Sequence, residues 1–186
     1  MGAKAGLPAG VELFALEMHR DHRGAFSEVF RRSWDTGIDP VQWNMVSSEA
    51  RVLRGVHVHV VHEDYLMIAR GAAQVGLKDL RRGSPTEGDA AVVEMRADKL
   101  QAIRIPRGVA HGFYFLEPSL HLYAVSHYWN LDDELGCRWD DPELQIPWSP
   151  ERPILSERDA TAEPLAAMKR LLELHQPIVS WRDAKS

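Results

Sequence analysis

Nine histidines stand among the 186 residues, and His57, His59, His62 and His111 are the ones whose surroundings suggest chemistry. His57 and His59 lie one residue apart in a run with β character, so their imidazoles share one face of a strand and Val56, Val58 and Val60 share the other. Two imidazoles turned inward need water, a ligand or a metal, because an unsatisfied buried polar group is costly. A one-residue change of register gives the alternative, in which the histidines meet solvent and the valines fill the interior. A second constellation is Pro106-Arg107-Gly108-Val109-Ala110-His111-Gly112-Phe113, where proline and glycine set a turn that delivers His111 into an aromatic strand. Arg54 precedes His57 by three positions, which places the two on opposite faces of a regular strand. A twist or bulge at Gly55 is needed to bring both to one site. Arginine suits a diphosphate because its planar fork pairs with two oxygens at once.

Many short strands must position these groups. Runs at 11–16, 26–30, 41–46, 52–60, 65–69, 73–80, 91–95, 101–105, 112–116 and 120–128 carry β-branched, aromatic or alternating residues. Turn signals separate them, among them Asp21-His22-Arg23-Gly24, Arg70-Gly71 and Arg82-Gly83-Ser84-Pro85. Such a pattern predicts an all-β sandwich or barrel. Only the end looks helical: 160–175 places Leu165, Met168, Leu171, Leu172 and Leu174 near helical spacing, with Pro177 beyond. The expected organisation is one domain over 1–186, with a β core over about 11–150 and a helical tail over about 156–176.

Composition narrows the function. A hydrophobic share of 45% and a charged share of 26% are ordinary for a globular protein. The net charge of −5 argues against a nucleic-acid binder, which needs a basic footprint, yet permits a phosphorylated small molecule held by a few pocket arginines. Cys137 is the only cysteine, which excludes an internal disulfide, fits a reducing cytoplasm and reads as a buried or idle thiol. No apolar run is long enough to span a membrane, and Met1-Gly2-Ala3-Lys4-Ala5-Gly6 is not followed by the apolar stretch of a secretory signal. Arg31, Arg32, Arg81 and Arg82 read as solvated surface charges.

The pairing of His57-x-His59 with the later Pro106-x-Gly108-x-x-His111 resembles the two motifs of the cupin superfamily, which implies a jelly-roll barrel with its pocket between them. A narrower resemblance, over about 21–159, is to the dTDP-4-dehydrorhamnose 3,5-epimerase family. It is carried by Asp21-His22-Arg23-Gly24-Ala25-Phe26-Ser27-Glu28, Gln42-Trp43-Asn44, Val52-Leu53-Arg54-Gly55-Val56-His57 and Asp79-Leu80-Arg81-Arg82-Gly83-Ser84-Pro85-Thr86. Ile105 to Phe113, Trp139-Asp140-Asp141-Pro142, Ile146-Pro147-Trp148 and Leu155-Ser156-Glu157-Arg158-Asp159 continue it. The resemblance implies epimerisation beside the ketone of a nucleotide-linked sugar, without a cofactor, by a homodimer. It implies His57 as base, Asp159 as the carboxylate that orients it, and Tyr123 as the acid on the other face. Tyr123 reads otherwise as a packed strand aromatic, and Asp159 as a helix cap. Arg23, Phe26 and Glu28 match nucleotide-binding positions, supplied across a dimer in one reading. Gln42, Asn44, Arg54, His111, Glu134 and Arg158 match further substrate contacts, with Arg158 standing where the family usually has lysine.

The chain also departs from that pattern. Val58 and His59 replace an aromatic and a glutamine, and Asp64 replaces a pocket lysine, so the substrate need not be the family's usual one. His57, His59, Glu63 and His111 resemble the ligand set of metal-binding cupins, which suits a divalent transition metal and forms a rival reading. A non-catalytic sugar-nucleotide-binding barrel is a third.

Overall fold

The structure is a computed structural model that describes residues 6–130 and 134–175. Its strands are β1 (Glu12–Ala15), β2 (His19–Asp21), β3 (Gly24–Phe26), β4 (Gln42–Ser48), β5 (Leu53–His59), β6 (Asp64–Arg70) and β7 (Ala72–Asp79). They continue as β8 (Ala90–Arg96), β9 (Gln101–Ile105), β10 (Val109–Phe115), β11 (Ser119–Val125) and β12 (Glu134–Gly136), and helices α1 (Glu157–Ala160) and α2 (Leu165–Glu173) close the chain. Two five-stranded antiparallel sheets form the jelly roll, one ordered β1-β9-β6-β11-β4 and the other β12-β5-β10-β7-β8, with β2-β3 as a separate hairpin. Consecutive strands β6 and β7 belong to different sheets, so the chain must cross over at Gly71. A side chain there would meet Ser119 and the Pro118 carbonyl at 2.3 and 2.6 Å, and φ is +83°, so only glycine makes this turn.

Three apolar layers hold the sheets together. The space between them is filled by Leu66, Ile68, Val75, Leu77, Met95, Ile103, Ile105 and Phe115. The outer face of the first sheet buries Tyr65 and Met67 beneath Phe14, Leu16, Phe30 and Trp34. On the outer face of the second, Val56, Val58 and Val60 pack with Cys137, Ile146 and the buried side of α2, namely Leu165, Met168 and Leu172. Both faces of β5 and β6 are therefore largely covered, which is why neither strand alternates between buried and exposed.

Several expectations are corrected. The run at 26–30 is not a strand: β3 ends at Phe26, and Val29 and Phe30 instead cap Tyr65, whose hydroxyl donates to the Val29 carbonyl at 2.9 Å. β11 stops at Val125, short of residue 128. Strands β2 and β12, of three residues each, are too short to show a period. The helix expected over 160–175 is shorter, covering Leu165–Glu173 because Pro164 disfavours helix before it and caps its start, and a separate short helix, α1, ends at Ala160. Asp141 accepts the Leu165 N–H at 2.9 Å in place of a side-chain cap. Leu171 and Leu174 face outward, 49% and 78% exposed, and residue 176 lies outside the described residues. Arg81 is no surface charge: it is buried and grips Asp79 at 2.8–2.9 Å, with Ser84 and Thr86 donating to the same carboxylate. Burial works against the Asp79 anion, but these bonds hold its carboxyl below the ordinary value. Cys137 is buried as expected, and desolvation pushes its thiol up to about 12.

Candidate active site

A cavity of about 280 Å³ opens between the sheets. The second sheet supplies Arg54, His57 and His59 from β5, His111 and Phe113 from β10, and Glu134 from β12. The first supplies Val46, Asp64, Leu66, His121 and Tyr123, and Ser156, Arg158 and Asp159 close one side. His57 and His59 thus face the interior, and the valines between them face α2 rather than the barrel's inside.

The local irregularity in β5 is what gathers these groups. His111 pairs with His57 but Phe113 pairs with Arg54, so β5 uses three steps where β10 uses two. The extra residue turns Arg54 onto the same cavity as His57, as the spacing required. Gly55 has φ +110°, and a Cβ there would lie 2.9 Å from both the Gly112 Cα and the His111 carbonyl. No other residue fits that bend without moving backbone.

His57 Nε2 lies 2.9 Å from Asp159 Oδ1. A carboxylate can only accept, so Nε2 carries the proton and Nδ1 is left with its lone pair. Asp159 sits in the first turn of α1, whose cap is Ser156: the Ser156 hydroxyl accepts the Asp159 N–H at 3.1 Å. Asp159 is therefore not the cap itself. Burial opposes its charge, but the hydrogen bond and charge of His57, with Ser156 and the Gly55 N–H, hold the carboxyl below its ordinary range. Tyr123, on the facing sheet, is raised by burial and by the charges of Asp64 and Glu134, against a smaller opposing effect of Arg54. It keeps its proton. His111 is buried, and because a carbonyl only accepts, its Nδ1–H donates to Val109 O at 3.1 Å. Desolvation pulls His111 down to about 4, so it stays neutral.

Arg54 is steadied by Ser48 Oγ at 3.1 Å. Arg158 donates to Glu134 Oε2 at 2.9 Å and to the Glu134 carbonyl at 2.8 Å, while Trp129 Nε1 donates to Glu134 Oε1 at 2.7 Å. Gln42 and Asn44 bond each other at 2.9 Å on β4, and Gln42 accepts the Trp129 N–H, so they stand beside the cavity rather than in its wall. Arg23, Phe26 and Glu28 are not brought to the cavity by this chain. Arg23 clamps Asp21 at 2.6 Å, Phe26 is 64% exposed, and Glu28 pairs with Arg31. Glu63 does not join the histidines either: it turns away to Arg104, 2.8 Å distant.

Sequence reasoning missed His121, which is buried in the cavity wall with Nδ1 lacking a hydrogen-bond partner among the described residues. Desolvation and the nearby Arg54 charge pull it down to about 4. The available signal was its place two residues before Tyr123 in a strand, hence on the same face.

A family profile described as dTDP-4-dehydrorhamnose 3,5-epimerase matches residues 8–167. The chain is 33% identical over 165 residues to the dTDP-4-dehydrorhamnose 3,5-epimerase of Pseudomonas aeruginosa, covering 84% of this chain and 91% of the relative. It superposes with TM-score 0.80 at 29% identity on a 3'-monoepimerase from Streptomyces bikiniensis in complex with dTDP-quinovose, over 91% of this chain and 95% of that one. It superposes with TM-score 0.82 at 26% identity on a Legionella pneumophila 3,5-epimerase in complex with dTDP-4-keto-L-rhamnose, over 96% and 98% of the two chains. Sequence and fold agree, and the chain belongs to the dTDP-4-dehydrorhamnose 3,5-epimerase family, an enzyme of the isomerase class.

Proposed function

We propose that this chain inverts C3, C5 or both in a nucleotide-diphosphate-linked 4-keto-6-deoxy sugar by moving protons at the carbon beside the ketone. One observation carries the assignment of roles: a histidine backed by a buried carboxylate on one sheet faces a protonated tyrosine on the other. His57 Nδ1 takes the proton from the carbon, and the C–H electron pair moves into a new C=C bond as the ketone oxygen becomes an enolate. Asp159 stabilises the imidazolium that results. Tyr123 then gives its proton to the opposite face of that carbon while the enolate electrons return. Solvent re-protonates the tyrosinate, and His57 releases its proton to solvent, which restores both groups.

Arg54 and Arg158 are the cations placed to meet the diphosphate. His111 and Glu134, in the cavity wall, take further substrate contacts, and Gln42 and Asn44 do so only for a substrate long enough to reach past the cavity. Arg23, Phe26 and Glu28 serve the nucleotide of a neighbouring copy in a homodimer. Support for this lies in the exposure of Arg23 and Phe26 on the β2-β3 hairpin, with Glu28 two residues beyond it, and in the exposed apolar face of the edge strand β4, where Trp43 and Met45 are 42% and 68% exposed. No helix among the described residues is long and apolar enough to cross a membrane. With its one thiol buried, the chain suits the cytoplasm.

The test is solvent exchange. In D₂O with a dTDP-linked 4-keto-6-deoxy sugar, deuterium enters the sugar at each inverted carbon, so one or two deuterons distinguish a monoepimerase from a 3,5-epimerase. His57→Ala and Tyr123→Phe each lower the rate roughly 10²–10⁴-fold, the usual scale for a general acid or base. Absence of deuterium with dTDP-, GDP- and CDP-linked keto sugars alike overturns the proposal.

A further inference from the structure

His59, His62, Asp64 and His111 converge in a buried corner of the cavity. His59 Nε2 is 3.4 Å from Asp64 Oδ2, His62 Nε2 is 3.8 Å from Oδ1, and His111 Nε2 is 3.5 Å from Oδ2. One donor atom from each of His59, His62 and Asp64 lies within 4.8 Å of the others. Two ligands on a tetrahedral ion with bonds of about 2.0–2.1 Å stand roughly 3.3–3.5 Å apart. The His59 and His111 distances to Asp64 fall at that spacing, and the His62 distance is somewhat longer.

His111 adds a second observation. Its Nδ1–H is given to the Val109 carbonyl, so the nitrogen facing Asp64 is a lone pair set against a carboxylate oxygen. Two acceptors at that distance repel unless a positive charge lies between them. Donation of the far ring N–H to a backbone carbonyl is also how metal-ligating histidines are oriented. On the other side, Glu134 Oε1 stands 3.8 Å from His59 Nδ1, in the position of an outer carboxylate.

We propose that His59, His62 and Asp64, with the fourth position left to solvent and His111 close beside the carboxylate, bind one divalent transition-metal ion of the size and softness of zinc. Imidazole with one carboxylate is a donor set that such ions prefer over magnesium or calcium. The set is not the one suggested by the histidine–glutamate spacing of the sequence. His57 is committed to Asp159 and Glu63 to Arg104, and the residues on either side of Glu63 take the role. The ion places positive charge in the cavity where the family resemblance leads one to expect a lysine and the chain has Asp64. Held by these residues, an ion would supply positive charge able to stabilise an oxygen on which negative charge develops. The inference goes beyond the epimerase reading and does not depend on it.

Full-length protein stripped with chelator and titrated with Co²⁺ in the absence of substrate should develop the visible bands of a four-coordinate ion, saturating at one per chain. Zn²⁺ should displace it and raise the melting temperature. His62→Gln and Asp64→Asn, each shown to be folded by circular dichroism, should weaken binding at least about 100-fold, beyond the ~10–100-fold that loss of an outer partner costs. Glu63→Gln and His57→Ala should leave binding unchanged. Failure of the wild-type protein to bind Co²⁺ or Zn²⁺ overturns the proposal whatever the variants do. So does binding that survives Asp64→Asn or is lost in Glu63→Gln. Because binding is read without substrate, failure here leaves the epimerase reading standing, and failure of deuterium exchange leaves this one.

Discussion

His57 works as a base only while its Nε2–H stays with Asp159, since that bond keeps Nδ1 bare and turned to the cavity. Asp159→Asn preserves the shape but can offer its NH₂ to Nε2 and so favour the other tautomer. Steady-state kinetics should then show kcat reduced roughly 10²–10⁴-fold, by analogy with loss of the orienting carboxylate in a catalytic triad, with KM little changed. The same residue governs acid stability. Its folded carboxyl is held below the ordinary value near 3.8, so the unfolded chain binds this proton first as pH falls. The stability it contributes is complete above the unfolded value and is lost as pH drops through the lower folded one. Urea midpoints of wild type and Asp159→Asn should therefore differ most at neutral pH and converge as the pH falls through the lowered carboxyl value. At this scale the gathering of His57, Asp159, Tyr123, Arg54 and His111 at one cavity was legible from the motifs, although parity alone put Arg54 on the wrong face and said nothing of the helical Asp159. The exchange of Glu63 for His62 and Asp64 was not. Strand β5 ends at His59, and across the bend that follows, alternation no longer tells which side chain turns in.

Strand β5 is pinned from behind by α2, and the three buried helix positions follow i, i+3, i+7 spacing. Met168→Ala should cost about 2–5 kcal/mol by urea denaturation, through lost burial plus a cavity under the valines. Leu171→Ala, on the exposed side of the same turn of helix, should fall within about 0.5 kcal/mol of wild type. Equal losses at the two sites would mean that α2 is oriented differently. The existence of most strands was readable from alternation and turn residues, and their ends were set by partners that sequence does not display. Phe30 reads as a strand residue because it is aromatic, yet it serves as a lid over Tyr65. Five leucines and methionines suggest a continuous helix, but Pro164 and the Asp141 cap fix where it begins.

For the molecule as a whole, edge strand β4 turns exposed apolar side chains outward, and the hairpin β2-β3 pairs with neither sheet. Sedimentation velocity should show a dimer at micromolar concentration, and Met45→Glu should shift it to monomer by placing a charge on the apolar face of β4. If the hairpin serves a neighbour's nucleotide, the monomer loses substrate affinity while its deuterium exchange at saturating substrate persists. A monomeric wild type removes that role from Arg23, Phe26 and Glu28. The jelly roll was legible from motif pairing and from the count of short strands, whereas the covered outer faces were not, since period-two logic assigns one side of each strand to water. That covering has a consequence for descent. In β5 the odd positions 57 and 59 face the cavity and the even positions 56 and 58 pack in one apolar cluster with α2. A lineage can rewrite what the enzyme does at the first pair while leaving how it folds to the second. The plain alternation of a strand becomes a partition between evolvability and robustness.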